Sequence, residues 1–157
     1  MSATMTHASV PSAQPSPRRA AAGAVVMIAA TLVLATLGAG GLQLLDGGDL
    51  TQAFLERGPR LLVSTLWFMV PPWAILVVVV SIRWRRFRGL RMLALQAGVA
   101  VGCALLATAA WFVVAMVEGG WALLLVAISI VTSGIFAISA ILAATLVQFW
   151  LFRSPSA

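Results

Sequence analysis

The residues able to do acid–base, nucleophilic or metal chemistry are few and scattered. They are four carboxylates (Asp46, Asp49, Glu56 and Glu118), one histidine (His7), one cysteine (Cys103), and ten arginines with no lysine. A nucleophilic serine needs a base within hydrogen-bond reach. Ser129, Ser133 and Ser139 lie in a stretch that holds no histidine, lysine or carboxylate, so an enzyme would have to borrow its base. A single cysteine excludes an internal disulfide and any multi-cysteine metal site. There is no glycine-rich phosphate loop and no metal-ligand spacing. The expectation is a protein with no catalytic residues, no cofactor and no metal.

The elements that position these residues follow from hydropathy. Of 157 residues, 62% are hydrophobic and only 9% charged, against about 45–50% and about 25% in soluble domains. A mean hydropathy of +1.06 cannot be hidden inside so small a globule. Four runs carry no charge: Ala20–Leu45, Leu61–Ile82, Met92–Val117 and Trp121–Phe152, of 26, 22, 26 and 32 residues. A spanning helix needs about 20 residues to cross a hydrocarbon core roughly 30 Å thick. Backbone groups in lipid must be satisfied within the segment or in a closed barrel. The run from Ala74 to Val80 is apolar on every side, which does not fit the alternation of barrel strands. These features predict an all-α integral membrane protein, a four-transmembrane-helix up-down bundle over residues 18–153. A disordered, Ser- and Pro-rich cytoplasmic tail over residues 1–17 would hold His7, and residues 154–157 would form a short C-terminal tail.

The arginines set the orientation. With the N-terminus inside, Arg18, Arg19, Arg83, Arg85, Arg86, Arg88, Arg91 and Arg153 are cytoplasmic, and only Arg57 and Arg60 are outside. By the positive-inside rule both termini are then expected to be cytoplasmic; the expected location is the plasma membrane. The first run is too long for a signal-peptide core of about 7–15 residues and reads as an anchor. The composition, arginine-rich and alanine-rich without lysine, points to a bacterial source.

Three sets of residues stand out within this frame. In the turn between the second and third helices, Arg83, Arg85, Arg86, Arg88 and Arg91 interleave with Trp84 and Phe87. That pattern resembles a single-strand nucleic-acid surface, but a short hairpin at headgroup level calls for anionic lipid, so membrane lipids are the expected partner and nucleic acid is not. Trp84, Trp121 and Trp150 are assigned to the interfacial belts. Between the first two helices, Asp46-Gly47-Gly48 is turn chemistry. Leu50 to Arg57 reads as a short surface helix with Leu50, Phe54 and Leu55 on one side.

The second set is a run of small residues. Ala94, Gly98 and Gly102 recur every four residues on helix three, and Ser129 and Ser133 begin a comparable ridge on helix four that continues through Ala137, Ala140 and Ala144. Such faces let helices approach closely. Packing within the bundle is the first reading of both, and contact with a second copy or another membrane protein is the second.

The third set is Pro71-Pro72, placed in the middle of helix two, where two missing amide hydrogens free the carbonyls of Trp67 and Phe68 and kink the helix. Thr108, Ser129, Thr132 and Ser133 fall at similar depth; plain interhelical hydrogen bonding is the first reading of this patch, and a small polar pocket beside the kink, open to the outer leaflet, is the second.

No ionisable residue lies inside the spans, which argues against a proton relay. The leading expectation is a non-catalytic multi-pass protein acting through helix–helix packing with itself, as a homo-oligomer, or with an unidentified membrane partner. The alternative is a small transporter or channel component using the Pro71-Pro72 site.

Overall fold

The computed structural model describes residues 16–45, 47, 49–57, 59–60, 69–84, 87, 89–119 and 122–153. Helix α1 runs over Pro17–Leu45, α2 over Val70–Arg83, α3 over Leu90–Glu118 and α4 over Ala122–Arg153. A short, wide helical turn at Gln52–Arg57 stands between α1 and α2. No strand occurs among the described residues.

Three helices, α1, α3 and α4, are long and apolar enough to cross a membrane. The valine-rich segments are helical as well. In lipid an unpaired backbone group costs several kcal/mol, whereas helix propensities differ by only about 0.7 kcal/mol per residue. The described part of α2 has 14 residues, about 21 Å of helix against a core of roughly 30 Å. Residues 61–68, assigned from sequence to the first part of the second span, lie outside the described residues, as do the tails at 1–15 and 154–157, with His7.

Local chemistry sets the helix ends. Helix α1 begins before Ala20: the Arg19 N–H donates to Ser16 Oγ at 3.3 Å, and Pro17, whose missing N–H costs nothing there, is the first helical residue. Arg18 and Arg19 therefore sit in the first turn of α1. Helix α3 ends on Gly119, whose φ of 81° only glycine adopts readily and whose N–H donates to the Ala115 carbonyl at 3.0 Å.

The segment after α1 departs from expectation. It is helical, and the Ala53 N–H donates to the Asp49 carbonyl at 2.8 Å, but over Gln52–Arg57 it winds with i→i+5 bonds. A face counted at 3.6 residues per turn does not survive that winding. Leu50 and Leu55 are exposed, whereas Ala53 is buried and Phe54 half-buried. Phe54 seats in the notch left by Gly40, where an added methyl would overlap its ring.

The helices close a ring, with α4 packing on α3 and α1, and α2 bridging α1 and α3. Lipid tails are as apolar as leucine, so close packing holds such a ring together, and small residues allow it. Ala24, Met27, Thr31, Ala35 and Ala39 line the inner face of α1. On α4 the inner face continues through Phe136, Ala140, Ala143 and Ala144. The two helices approach so closely that a Cβ on Gly38 would lie 2.8 Å from Ile135 Cγ2. Trp73 of α2 meets Phe136 edge-on, with ring centroids 4.9 Å apart and planes at 82°. The outer surface is lined by Val25, Val33, Leu37, Ile75, Val79, Leu106, Val113, Ile138, Leu142 and Leu146, all exposed. So much exposed hydrocarbon is incompatible with water and compatible with a membrane helical bundle.

Candidate functional site

Two features remain once the bundle is assembled, one inside it and one on its surface. The inner one lies on α4. Ser129, Thr132 and Ser133 are buried on the face that carries Phe136. Thr132 Oγ1 donates to the carbonyls of Ile128 (2.9 Å) and Ser129 (3.2 Å). From α3, the half-buried Thr108 donates to the Ala104 carbonyl at 3.0 Å and stands 3.5 Å from Ser133 Oγ. The four hydroxyl residues chosen from the sequence therefore do share one region. Ser129 Oγ, fully buried, makes no hydrogen bond, and neither does the Nε1 of the fully buried Trp73.

The prolines do not join this group. Pro71 and Pro72 are exposed and occupy the first turn of the described α2, after the cap residue Met69. Their missing amide hydrogens fall where a helix start has no partner for them, and the first free N–H, that of Trp73, reaches the Met69 carbonyl at 3.1 Å. The carbonyls of Trp67 and Phe68, on which the mid-helix kink depends, lie outside the described residues. The α2 residue that enters the bundle beside the hydroxyls is Trp73, one position beyond the pair.

The outer feature is the small-residue face of α3. Ala94 and Gly98 are exposed and Gly102 half-buried, and a Cβ built on either glycine meets nothing within 4 Å. At 100° per residue these three positions centre about 180° from the inward group of Gln96, Ala100, Cys103 and Ala104. Packing within the bundle, the first reading of both small-residue faces, thus fits Ser129 and Ser133 but not Ala94 and Gly98. The same outward stripe continues at three- and four-residue spacing through Leu105, Ala109, Phe112 and Met116, all exposed.

Arg83, the last residue of α2, and Arg91, the second of α3, are both exposed and flank a turn that also exposes Trp84 and Phe87. Arg83 lies at a helix C-terminus, where the dipole favours a cation. Arg85, Arg86 and Arg88 lie outside the described residues.

Sequence reasoning passed over Trp73, Ser81, Gln96 and the inner face of α1. Gln96, buried, donates from Nε2 to Ser81 Oγ of α2 at 3.4 Å, while its Oε1 has no partner. The signals were present. A lone amide in a charge-free run of 26 residues has to face protein, and a tryptophan far from either end of its span is not a belt residue. Among the described residues no cluster of metal ligands occurs. No family model, curated protein or solved structure matches the chain.

Proposed function

We propose that the chain is a four-pass plasma-membrane protein with both termini in the cytoplasm, acting without catalysis by associating through the outward face of α3 with a second copy of itself or with another membrane protein. The observation that carries this reading is the open stripe at Ala94, Gly98 and Gly102. A lipid-facing helix usually presents bulky side chains, as α1 does with Val25, Val33 and Leu37. A glycine groove facing lipid leaves the close approach it permits unused, and that approach is what drives helix association in a bilayer. Four crossings and the cytoplasmic ends rest on the charge-free run from Leu61 to Ile82, of which α2 forms the second part, and on the eight-to-two division of the arginines. Exposed Arg83 and Arg91 support contact with anionic headgroups at the inner surface.

The test is the mass of the protein, purified in mild detergent, by light scattering. A dimer or a stoichiometric complex is expected, and Gly98→Ile, which fills the groove, should reduce it to the single chain. A single chain in the wild type, or a complex unaffected by Gly98→Ile, would overturn the proposal.

A further inference from the structure

The hydroxyl seam has a property that close packing does not account for. Five described helical threonines, Thr31, Thr36, Thr108, Thr132 and Thr145, donate to the carbonyl four residues back, at 2.8 to 3.0 Å. That is the default for a hydroxyl with no better partner in an apolar helix. The described serines Ser81, Ser129, Ser133 and Ser139 do not take it, and among them Ser129 is the one whose hydroxyl is buried with no hydrogen bond of any kind. So is the Trp73 indole N–H, a group that can only donate. Each such group stands as an uncompensated desolvation cost.

Both groups lie on the inward side of the bundle, Trp73 against Phe136 and Ser129 on the α4 face that carries Phe136. Cα–Cβ bonds tilt toward a helix's N-terminus, so a side chain covers the turn before its own. The Phe136 ring then lies over the turn of Thr132 and Ser133, and Trp73 packs against that ring. Ser129 is one turn further along the same face, since seven residues make almost two full turns. Thr108 closes the seam from α3 at Ser133. The lining is thus an indole N–H and hydroxyls from three helices, with no carboxylate or cationic side chain among them. An ion of either sign would find no compensating charge in such a lining. It suits a neutral molecule that accepts one hydrogen bond and donates another.

We infer that Trp73 and Ser129 hold a water molecule inside the bundle, which accepts from Trp73 Nε1 and bonds to Ser129 Oγ, with the Thr108–Ser133 pair beside it. Two to four polar partners are what a buried water requires. The inference is independent of the α3 outer face and of any association through it.

The experiment uses the full chain, ¹⁵N-labelled at tryptophan, in phospholipid nanodiscs. The Trp73 indole resonance is identified by its loss in Trp73→Phe. Magnetisation transfer from water to that indole N–H is expected in the wild type and should be lost in Ser129→Ala. The melting temperature gives a second reading whose sign discriminates. Removing a hydroxyl that anchors water lowers it, whereas removing one that is merely buried and unpaired raises it. Absence of water transfer in the wild type, or a higher melting temperature for Ser129→Ala, would overturn the inference.

Discussion

On α3, Ala94, Gly98 and Gly102 recur every four positions and look away from the bundle; on α4, Ser129, Ser133 and Ala137 recur at the same spacing and look into it. The contrast shows that four-residue spacing of small side chains creates a groove without deciding what fills it. The opposite face of each helix decides. Across α3 from its stripe stands Gln96, whose amide is costly against lipid and turns that side inward toward Ser81. Across α4 stand Ile138 and Leu142, bulky and exposed, so the small and hydroxyl residues go inward by default.

The comparison can be broken by making one change on both faces. Ala140 is 1% exposed and belongs to the core, while Ala94 is exposed. Replacing a methyl with an isobutyl side chain in a filled interior typically costs about 1–3 kcal/mol, and an exposed substitution stays within about 0.5 kcal/mol. Thermal melting of the single chain, with association removed by Gly98→Ile, should therefore fall sharply for Ala140→Leu and hardly move for Ala94→Leu. Equal losses would mean that Ala94 is packed inside the protomer.

A smaller difference separates two glycines. Replacing a mid-helix glycine with alanine gains about 0.5–1 kcal/mol where there is room. Gly102 has room within the single chain, so Gly102→Ala in the Gly98→Ile background, where association is removed, should melt slightly higher than its parent. Gly40→Ala should lose that gain, because the new methyl displaces the Phe54 ring. With Phe54 displaced, Gln52–Arg57 loses its seat on α1, so trypsin should cleave after Arg57 faster than in the wild type. Unchanged proteolysis would show that the segment is held by something other than Phe54.

The three long helices were legible because a charge-free run of more than about 20 residues has few alternatives in lipid. The capping of α1 was legible in principle, since Ser16-Pro17 is a start signal, but hydropathy alone placed the first helix at Ala20. The winding at Gln52–Arg57 was not legible, because a wide turn that seats Phe54 in the Gly40 notch is a tertiary outcome and leaves no mark in local spacing. Of the polar set, Thr108, Ser129, Thr132 and Ser133 were found by depth along the helices. Trp73 was missed because an isolated tryptophan looks like packing until its N–H is seen without an acceptor. The direction of the α3 stripe was readable from Gln96, the one amide in its run, had polarity been weighed before glycine spacing.

The weakest link in the comparison is the contact that orients α3. Gln96 Nε2 lies 3.4 Å from Ser81 Oγ, a long hydrogen bond, and Oε1 is unmet. Interhelical hydrogen bonds in membranes average about 0.6 kcal/mol, so Ser81→Ala should cost about that much, by leaving both ends of a buried amide unpaired. Gln96→Leu removes the amide and its desolvation cost together, and should be neutral or slightly stabilising. Adding Ser81→Ala to Gln96→Leu should then have no further effect, because the serine has lost the group it served. Melting curves of the two single variants and the double variant form the required cycle. If Gln96→Leu proves the more damaging change, the amide contributes a partner beyond Ser81, and the inward face of α3 is held by more than the avoidance of lipid.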